Sequence, residues 1–161
     1  MSDEITLVFN DCNIPIVLKD QKIIDKIPLL KRALNPYNFE EKTKDYKGPP
    51  EPFNINFRKR VGEFIFGHLL EYNPPEYGDI EITPEHYRES NMSDLDELKE
   101  ILNLSIFLEC DDFTRCIGFV IAKKLNKMKI EEIADFCGFS SPAPHRSLLL
   151  EDIHKSVEES N

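Results

Sequence analysis

The feature that most constrains this chain is residues 92–139, where three helical segments follow one another with short breaks between them. Ser93, followed by Asp96 three residues later, has the spacing of a capping box and predicts the start of the first helix. This helix, over 95–109, carries large apolar residues on more than one side, which is typical of a helix that is covered from several directions.

The next two segments have clearer apolar stripes. Asp111 and Asp112 are predicted to cap the second helix. Its apolar residues follow the spacing of one helical face: Phe113, Cys116, Ile117, Val120, Ile121 and Leu125. The third helix has Ile130, Ile133, Ala134 and Cys137 on one side, with Phe136 beside them. Gly138 is predicted to be a left-handed C-cap, with Phe139 folding back onto the last turn.

Composition limits the classes of partner. The chain has 161 residues and a hydrophobic content of 40%, which is enough for one ordinary domain with a core. Its net charge of −10 argues against nucleic acid as the main partner, because binding phosphates requires a positive surface. The acidic start, residues 1–4, predicts no signal peptide, and the lack of a long apolar run predicts no membrane partner.

The four cysteines predict reduced thiols rather than disulfides or a metal site. No two of them have the spacing of a CxxC motif. Cys116 and Cys137 lie on apolar helical faces, so we expect them to be buried. This use of cysteine favours the cytoplasm or the nucleus.

The N-terminal part predicts short strands that alternate with helices. Residues 5–18 have the alternation of a β-hairpin, with Pro15 on an edge strand. Residues 20–34 predict a short helical turn and then a new helix with Pro28 in its first turn. A polar loop follows at 36–52.

A second strand-to-helix unit follows this loop. Phe53 and Ile55 predict a strand, and Asn56 is predicted to cap a helix that continues to Tyr72. The loop over 73–91 is expected to hold a short strand at Ile80–Ile82 and a helical turn after Pro84. Near the C-terminus, Ser147 is predicted to cap a last helix.

The sequence contains none of the common catalytic or cofactor motifs: HExxH, GxxxxGK[ST], GxGxxG and GxSxG are all missing. His68 is expected at a core boundary, and His86, His145 and His154 on the surface. We therefore expect no enzyme activity, no catalytic residue, no bound metal and no cofactor. The surplus of apolar helical residues predicts a surface for a partner. The alternative, that the C-terminal helices pack on one another, stays open.

Two stretches of the chain carry a family resemblance. LKEILNLSIFLEC at 98–110 and KMKIEEIADFCGF at 127–139 resemble the C-terminal half of the S-phase-kinase-associated (SKP) adaptors of SCF ubiquitin ligases. The corresponding helices of that family read roughly ELILAANYLDI and TPEEIRKTFNI. The stretch PFNINFRKRVGEFIFGHLLEY at 52–72 is similar in pattern to the strand and helix that the family has there.

The resemblance implies an α+β fold in two parts. Residues 1–91 would be a BTB/POZ-like region of short strands and helices, and residues 92–161 a C-terminal helical extension that binds an F-box. It also implies a non-catalytic adaptor of an SCF-type cullin–RING ubiquitin ligase, which bridges a cullin and F-box proteins.

The resemblance places the two binding sites residue by residue. The Asn-Tyr pair that faces the cullin in the family falls on Ile106 and Phe107, where the ring is kept and a polar contact is lost. The F-box side falls on Phe113, Ile117, Val120, Ile121, Ile130, Ile133, Phe136 and Phe139. The family's last helix ends in a Trp-Cys pair, whereas this chain has no Trp. Leu149, Leu150 and Ile153 are the apolar residues expected to anchor the F-box in its place.

Two other interpretations stay open. The first is a BTB-like scaffold that self-associates as a homodimer through its BTB-like part and has no ligase role. The second is an adaptor of the elongin C type, which lacks the C-terminal extension. The helical segments at 111–158 argue against the second.

Overall fold

The computed structural model describes residues 4–34, 51–76 and 82–139, and these residues form an α+β fold. The strands are β1 (Ile5–Phe9), β2 (Cys12–Leu18) and β3 (Phe53–Ile55). The helices are α1 (Gln21–Asp25), α2 (Pro28–Leu34), α3 (Lys59–His68), α4 (Arg88–Met92), α5 (Leu95–Phe107), α6 (Asp111–Leu125) and α7 (Ile130–Phe136), with a 3₁₀ turn at Pro84–Tyr87. The predicted strand at Ile80–Ile82, the loop at 36–52 and the last helix lie wholly or largely outside the described residues.

Among the described residues, the strands form one sheet in the order β2-β1-β3. β2 is antiparallel to β1, with Ile5 opposite Leu18 and Phe9 opposite Cys12, which confirms the predicted hairpin. β3 is parallel to β1. The residues of β1 alternate between faces, and Ile5, Leu7 and Phe9 are buried in the core.

β2 is an outer strand of this part of the chain, as predicted for the strand that holds Pro15. The pairing with β1 shifts in register between Leu7 and Phe9. Ile14 departs from the predicted alternation, because its side chain is 67% exposed, whereas Leu18 is buried.

The two helices after the hairpin, α1 and α2, also follow the prediction. The Asp20 carboxylate accepts a hydrogen bond from the Lys22 N–H at 2.9 Å and so caps α1. A new helix then begins at Pro28, whose missing N–H is tolerated in the first turn. The buried residues of the pair are Ile24, Ile27 and Leu30.

The hairpin turn is fixed to the start of α3. The Asp11 carboxylate accepts a hydrogen bond from the Lys59 N–H at 2.8 Å. The Asn10 side-chain amide donates to the Asn56 side-chain oxygen at 3.0 Å, and the Asn10 N–H donates to the Phe57 carbonyl at 3.3 Å. The prediction that Asn56 caps this helix is therefore wrong. α3 begins at Lys59, and its first turn is capped from the hairpin.

α3 packs closely against β1 at Gly62. A Cβ atom at this position would lie 2.3 Å from Phe9 Cζ, far inside the ~3.5–4.0 Å of an ordinary carbon contact. Phe9 is itself buried, so its ring has no open space into which to move. The close approach of helix and sheet thus depends on the missing side chain of residue 62.

The N-cap of α5 is Asp94, one residue after the predicted cap Ser93. The Asp94 carboxylate accepts a hydrogen bond from the Glu97 N–H at 2.7 Å and is the N-cap. The prediction that Ser93 has this role is wrong, because Ser93 is the C-cap of α4 and its hydroxyl donates to the Glu89 carbonyl in the first turn of that helix. α5 packs on α3.

α6 begins at Asp111, and the Thr114 N–H donates to the Cys110 carbonyl at 2.8 Å. Asp111 and Asp112 therefore lie in the first turn of α6 and are not the predicted caps. The helix dipole stabilises carboxylates at this end of a helix. The predicted apolar stripe is confirmed as the buried face except for Leu125, which is half-buried; the buried residues are Phe113, Cys116, Ile117, Val120 and Ile121.

An aromatic ladder connects the end of α3 to α6. Tyr72 stacks on Phe113 with ring centroids 5.5 Å apart and contacts His68 and Tyr87 at 5.2 and 5.1 Å. The Ser90 hydroxyl donates to the Tyr72 oxygen at 3.1 Å. Burial raises the pKa of both Tyr72 and Tyr87 above the usual value of tyrosine. The helix predicted to reach Tyr72 ends at His68, and a turn carries the chain onward.

The chain divides into two compact units, residues 1–124 and residues 125–161. In the second unit, Gly138 follows the C-cap of α7 and has the predicted left-handed conformation, with φ of 77°. The Gly138 and Phe139 N–H groups donate to the carbonyls of Asp135 and Ala134 at 3.0 and 2.8 Å, which completes a Schellman motif. The predicted functional boundary between 91 and 92 falls inside the first unit and stays a prediction.

We expect Gly62→Ala to lower the free energy of unfolding by about 1–3 kcal/mol, because the added methyl group overpacks the contact with Phe9. Urea titration followed by circular dichroism measures the change.

Gly67→Ala is the matched control in the same helix, because no atom lies within 4 Å of the position that its Cβ would take. This change should stabilise the protein by about 0.4–1 kcal/mol. Equal effects of the two substitutions would contradict the steric role assigned to Gly62.

Candidate protein-interaction surfaces

The end of α5 exposes two large apolar side chains. Ile106 is 56% exposed and Phe107 is 43% exposed. The buried side of the same helix is a single stripe that consists of Leu98, Ile101, Leu104 and Leu108. Ile106 and Phe107 lie off this stripe, so the folded chain leaves them at the surface. The predicted surplus of apolar residues on this helix is thus confirmed for these two residues.

Phe57 extends this exposed patch. Its ring lies 5.9 Å from the ring of Phe107, at an interplanar angle of 44°. The backbone of Phe57 is held by the hydrogen bond from Asn10 at the hairpin turn. We call Phe57, Ile106 and Phe107 the α5 surface. Sequence patterns alone did not identify Phe57, because its contact with Phe107 joins segments that are 50 residues apart in the sequence.

Ion pairs between α5 and the start of α3 lie beside this patch. The Nε and Nη2 atoms of Arg58 donate to the two carboxylate oxygens of Glu100, at 2.7 and 2.6 Å. This hydrogen bonding raises the pKa of Arg58. The Nε and Nη2 atoms of Arg60 both donate to one carboxylate oxygen of Glu97. Many protein interfaces have an apolar core and a polar rim. The α5 surface and these ion pairs resemble such an arrangement.

A second bidentate ion pair lies at the turn after α5. Arg32 of α2 donates to both carboxylate oxygens of Glu109, at 2.7 and 2.5 Å. The hydrogen bond with Arg32 lowers the pKa of Glu109, and the same bond raises the pKa of Arg32. We call this pair the turn clasp.

Glu109 also has an unusual backbone conformation. Its φ is 61°, a left-handed value that costs a residue with a side chain roughly 1–2 kcal/mol. The Glu109 N–H donates to the Ile106 carbonyl at 3.0 Å, and the Cys110 N–H donates to the Ser105 carbonyl at 2.9 Å. These two bonds form a Schellman motif that ends α5 directly after its exposed pair.

Four of the residues predicted to contact an F-box belong to the core instead: Phe113, Ile117, Val120 and Ile121. Ile117 and Val120 are 0% exposed, and the ring of Phe113 is stacked on Tyr72. The prediction that these four side chains form a contact surface is therefore corrected. They follow the predicted helical periodicity, but they face the core of the first unit. Phe119, off this stripe, packs edge-on against Tyr87 at 6.0 Å.

The other predicted F-box residues lie in the second unit. No residue of α7 is buried, and Ile130 and Phe139 are 77% and 72% exposed. Ile133 and Phe136 are half-buried. The exposure of Phe139 shows that its side chain does not fold back onto the helix, although its backbone N–H does. The last three predicted residues, Leu149, Leu150 and Ile153, lie outside the described residues.

All four cysteines are free thiols. Cys110 and Cys116 are buried, and burial raises the pKa of Cys110 to about 12 and that of Cys116 to about 11. Cys137 is exposed, so the prediction that it is buried is wrong. It follows the last residue of α7, where the chain turns away from the helical face.

A cavity of about 360 Å³ lies beside the turn clasp. Its walls combine apolar residues with carboxylates: Asp25, Lys26, Pro28, Leu69, Tyr72, Glu109, Cys110, Asp111, Asp112 and Phe113. Cys110 is not an activated nucleophile there, because its raised pKa keeps the thiol protonated at neutral pH.

The predicted histidine roles fit the described part of the chain. The His68 ring lies between those of Phe64 and Tyr72, at 4.7 and 5.2 Å, and its Nδ1 lies 3.3 Å from the Glu71 carboxylate. His86 is exposed and contacts Thr83. His145 and His154 fall outside the described residues. Within 4–34, 51–76 and 82–139, no group of three or more His, Cys, Asp or Glu residues is placed to hold a metal ion.

The helices found in the described ranges are too short or too polar for one of them to cross a bilayer. No protein-family model matches this chain, and no curated protein matches it significantly.

We expect a water-soluble maleimide to label the native protein first at Cys137, because that thiol is exposed. Cys110 and Cys116 should react only when the protein unfolds, even at about pH 9, because they are buried and their thiolate forms are scarce. Peptide mass spectrometry after timed labelling identifies the sites. Rapid modification of Cys110 in the folded protein would contradict its placement in the core.

Proposed function

We propose that this protein is a non-catalytic adaptor of an SCF-type cullin–RING ubiquitin ligase, which bridges a cullin and an F-box protein. The observation that carries the proposal is the exposure of Ile106 and Phe107 at the end of α5. These are the two residues on which the sequence resemblance to the SKP adaptors places the cullin contact.

The energetics of exposed apolar groups support a partner at this surface. Removing apolar area from water contributes roughly 25 cal/mol per Å². Phe57 and Phe107 already contact each other through their rings, so a partner would meet a preformed aromatic pair rather than two independent side chains. Aromatic anchors of this kind contribute much of the affinity at many interfaces.

Ile106 gives the proposed cullin site a distinct chemistry. The family has Asn at this position, which offers a hydrogen bond, whereas Ile106 offers only apolar area. The proposed partner should therefore present an apolar residue opposite Ile106.

The proposed F-box site is centred on α7. Ile130, Ile133, Phe136 and Phe139 are exposed or half-buried there, whereas the four buried residues of α6 stabilise the core of the first unit. Leu149, Leu150 and Ile153 remain the proposed anchors of the last helix. An F-box would lay its apolar helical face over these residues.

The BTB/POZ-like nature of the N-terminal part belongs to the same proposal. It is supported by the order of the elements: a hairpin, two short helices, a third strand parallel to the first, and then α3. An adaptor of this class would work in the cytoplasm and the nucleus.

One observation favours the alternative of a self-associating scaffold. Ile14 is 67% exposed on the outer strand β2, where a second copy of the chain could pair. Size-exclusion chromatography with light scattering distinguishes the two functions, because an adaptor awaiting its partners is a monomer and the scaffold is a dimer.

Co-purification tests the proposed function directly. The full chain is combined first with an F-box domain and then with a cullin N-terminal domain. A stable ternary complex is the expected result. Binding of neither domain would overturn the proposal, and binding of the F-box alone would restrict it to an adaptor of another assembly, with Ile106→Asn as the first reversion to test.

We expect Phe107→Ala to weaken binding of the cullin domain about 10- to 100-fold, as the loss of an interface anchor does. Isothermal titration calorimetry measures the dissociation constant.

Leu70→Ala is the control, because Leu70 and Phe107 are exposed to nearly the same extent, 44% and 43%. This variant should bind the cullin domain like the wild type. Equal losses in the two variants would show that Phe107 is not a specific contact.

Phe136→Ala should weaken F-box binding by about tenfold or more while the cullin affinity stays unchanged, because Phe136 lies in the second unit of the chain. Thermal unfolding of the variant checks that the fold is kept. Unchanged F-box affinity in a titration would remove Phe136 from the proposed site.

A further inference from the structure

We propose that Arg32 is a positioning residue for the α5 surface: together with Glu109 it holds the turn that ends α5, and so fixes the direction in which Ile106 and Phe107 face a partner. This inference rests on the proposed function, because the partner is the cullin domain assigned to that surface.

The residue type at position 109 is unusual for its backbone conformation. Among the described residues, Glu109 is the one non-glycine residue with a positive φ. Left-handed backbone favours glycine, and residues with a side chain persist there when their surroundings hold them.

The same chain uses glycine at the equivalent position of α7. Gly138 has a φ of 77°, and the two backbone hydrogen bonds that close α7 have the same pattern as those that close α5. The backbone geometry alone therefore does not call for glutamate at position 109. What Glu109 adds is a carboxylate, and both of its oxygens bind Arg32.

Backbone hydrogen bonds connect this turn to the end of α5, which carries the exposed pair. The Glu109 N–H donates to the carbonyl of Ile106, and the Cys110 N–H donates to the carbonyl of Ser105. The left-handed residue thus sets where α5 stops. If Glu109 relaxed toward ordinary helical backbone, these bonds would be lost and the last turn, which carries Ile106 and Phe107, would rearrange.

The ion pair between Arg32 and Glu109 lies at the surface. The side chains of Arg32 and Glu109 are 56% and 44% exposed, so solvent screens their attraction and the pair adds little to global stability. A planar guanidinium that binds both carboxylate oxygens nevertheless fixes orientation, because two parallel hydrogen bonds define one geometry. The expected effect is therefore on local order and partner affinity more than on melting temperature.

The test compares Arg32→Met with Lys31→Met. Lys31 is an exposed residue of the same helix, so both changes remove one positive charge from α2. Hydrogen exchange of the Glu109 and Cys110 amides, measured by NMR, reports opening of the turn without any partner. We expect exchange to speed up about tenfold in Arg32→Met and less than about twofold in Lys31→Met.

The second readout is the affinity of the cullin domain. Arg32→Met should weaken binding about 5- to 10-fold, and Lys31→Met should leave it unchanged. Arg32→Lys should be intermediate, because lysine keeps the charge but cannot make the two-pronged contact. A purely structural role of Arg32 would instead lower the melting temperature and leave the affinity of the folded protein unaffected.

The Glu109→Gly variant distinguishes the cost of the left-handed backbone at residue 109 from the positioning effect of its carboxylate. Glycine relieves the cost of the left-handed conformation, so this variant should be at least as stable as the wild type. It lacks the carboxylate, so it should still lose cullin affinity and show faster exchange at residues 109 and 110. A stable Glu109→Gly variant with wild-type affinity and exchange would overturn the proposal.

The outcomes distinguish this proposal from the proposed function. Equal exchange rates in Arg32→Met and Lys31→Met would overturn the turn clasp, whatever the cullin domain does. Faster exchange in Arg32→Met, together with a wild-type chain that binds no cullin domain, would support the clasp as the holder of the turn and overturn the cullin site proposed at the α5 surface. If Arg32→Met does not fold, Arg32→Lys and Glu109→Gly carry the same comparison.

Discussion

The close contact between Gly62 and Phe9 is the constraint on which much of the described structure depends. It lets α3 approach the central strand at Gly62, and Val61 and Ile65 in the same helix are buried. α5 packs on α3, and the ion pair between Arg58 and Glu100 joins the two helices. The exposed patch thus lies at the end of a helix that packs on α3, the same helix that approaches the sheet at Gly62.

Local sequence patterns predicted the elements well because strand alternation and helical periodicity are local properties. The hairpin, the restart at Pro28, β3, the buried stripe of α6 and the glycine cap of α7 all follow from residues close together in the chain. The helix caps were less predictable, since a nearby polar residue can be used elsewhere. Ser93 is bound to α4, and the N–H at the start of α3 is bound by Asp11, 48 residues earlier. Sequence spacing cannot show which of two acceptors lies closer.

The candidate surface was predictable only in part. The excess of apolar residues on α5 indicated that some would remain exposed, and Ile106 and Phe107 do. The family resemblance implied a contact surface at Phe113 and its neighbours, which the structure buries, and their helical stripe alone does not tell a core face from a binding face. Phe57 and the turn clasp had no signal in the sequence, since each depends on a pairing that the fold creates between distant segments.

The aromatic ladder gives the protein a spectroscopic property of its own. The chain has no tryptophan, so its near-ultraviolet absorption above the phenylalanine bands comes mainly from tyrosine. Tyr72 and Tyr87 are buried in mutual contact, and Tyr72 is stacked on Phe113. Rings held rigidly in an asymmetric environment give near-ultraviolet circular dichroism that disappears when tertiary packing loosens, even while helices persist. The junction of α3, α4 and α6 therefore carries an intrinsic optical reporter, and the packing of this core can be followed without attaching a dye.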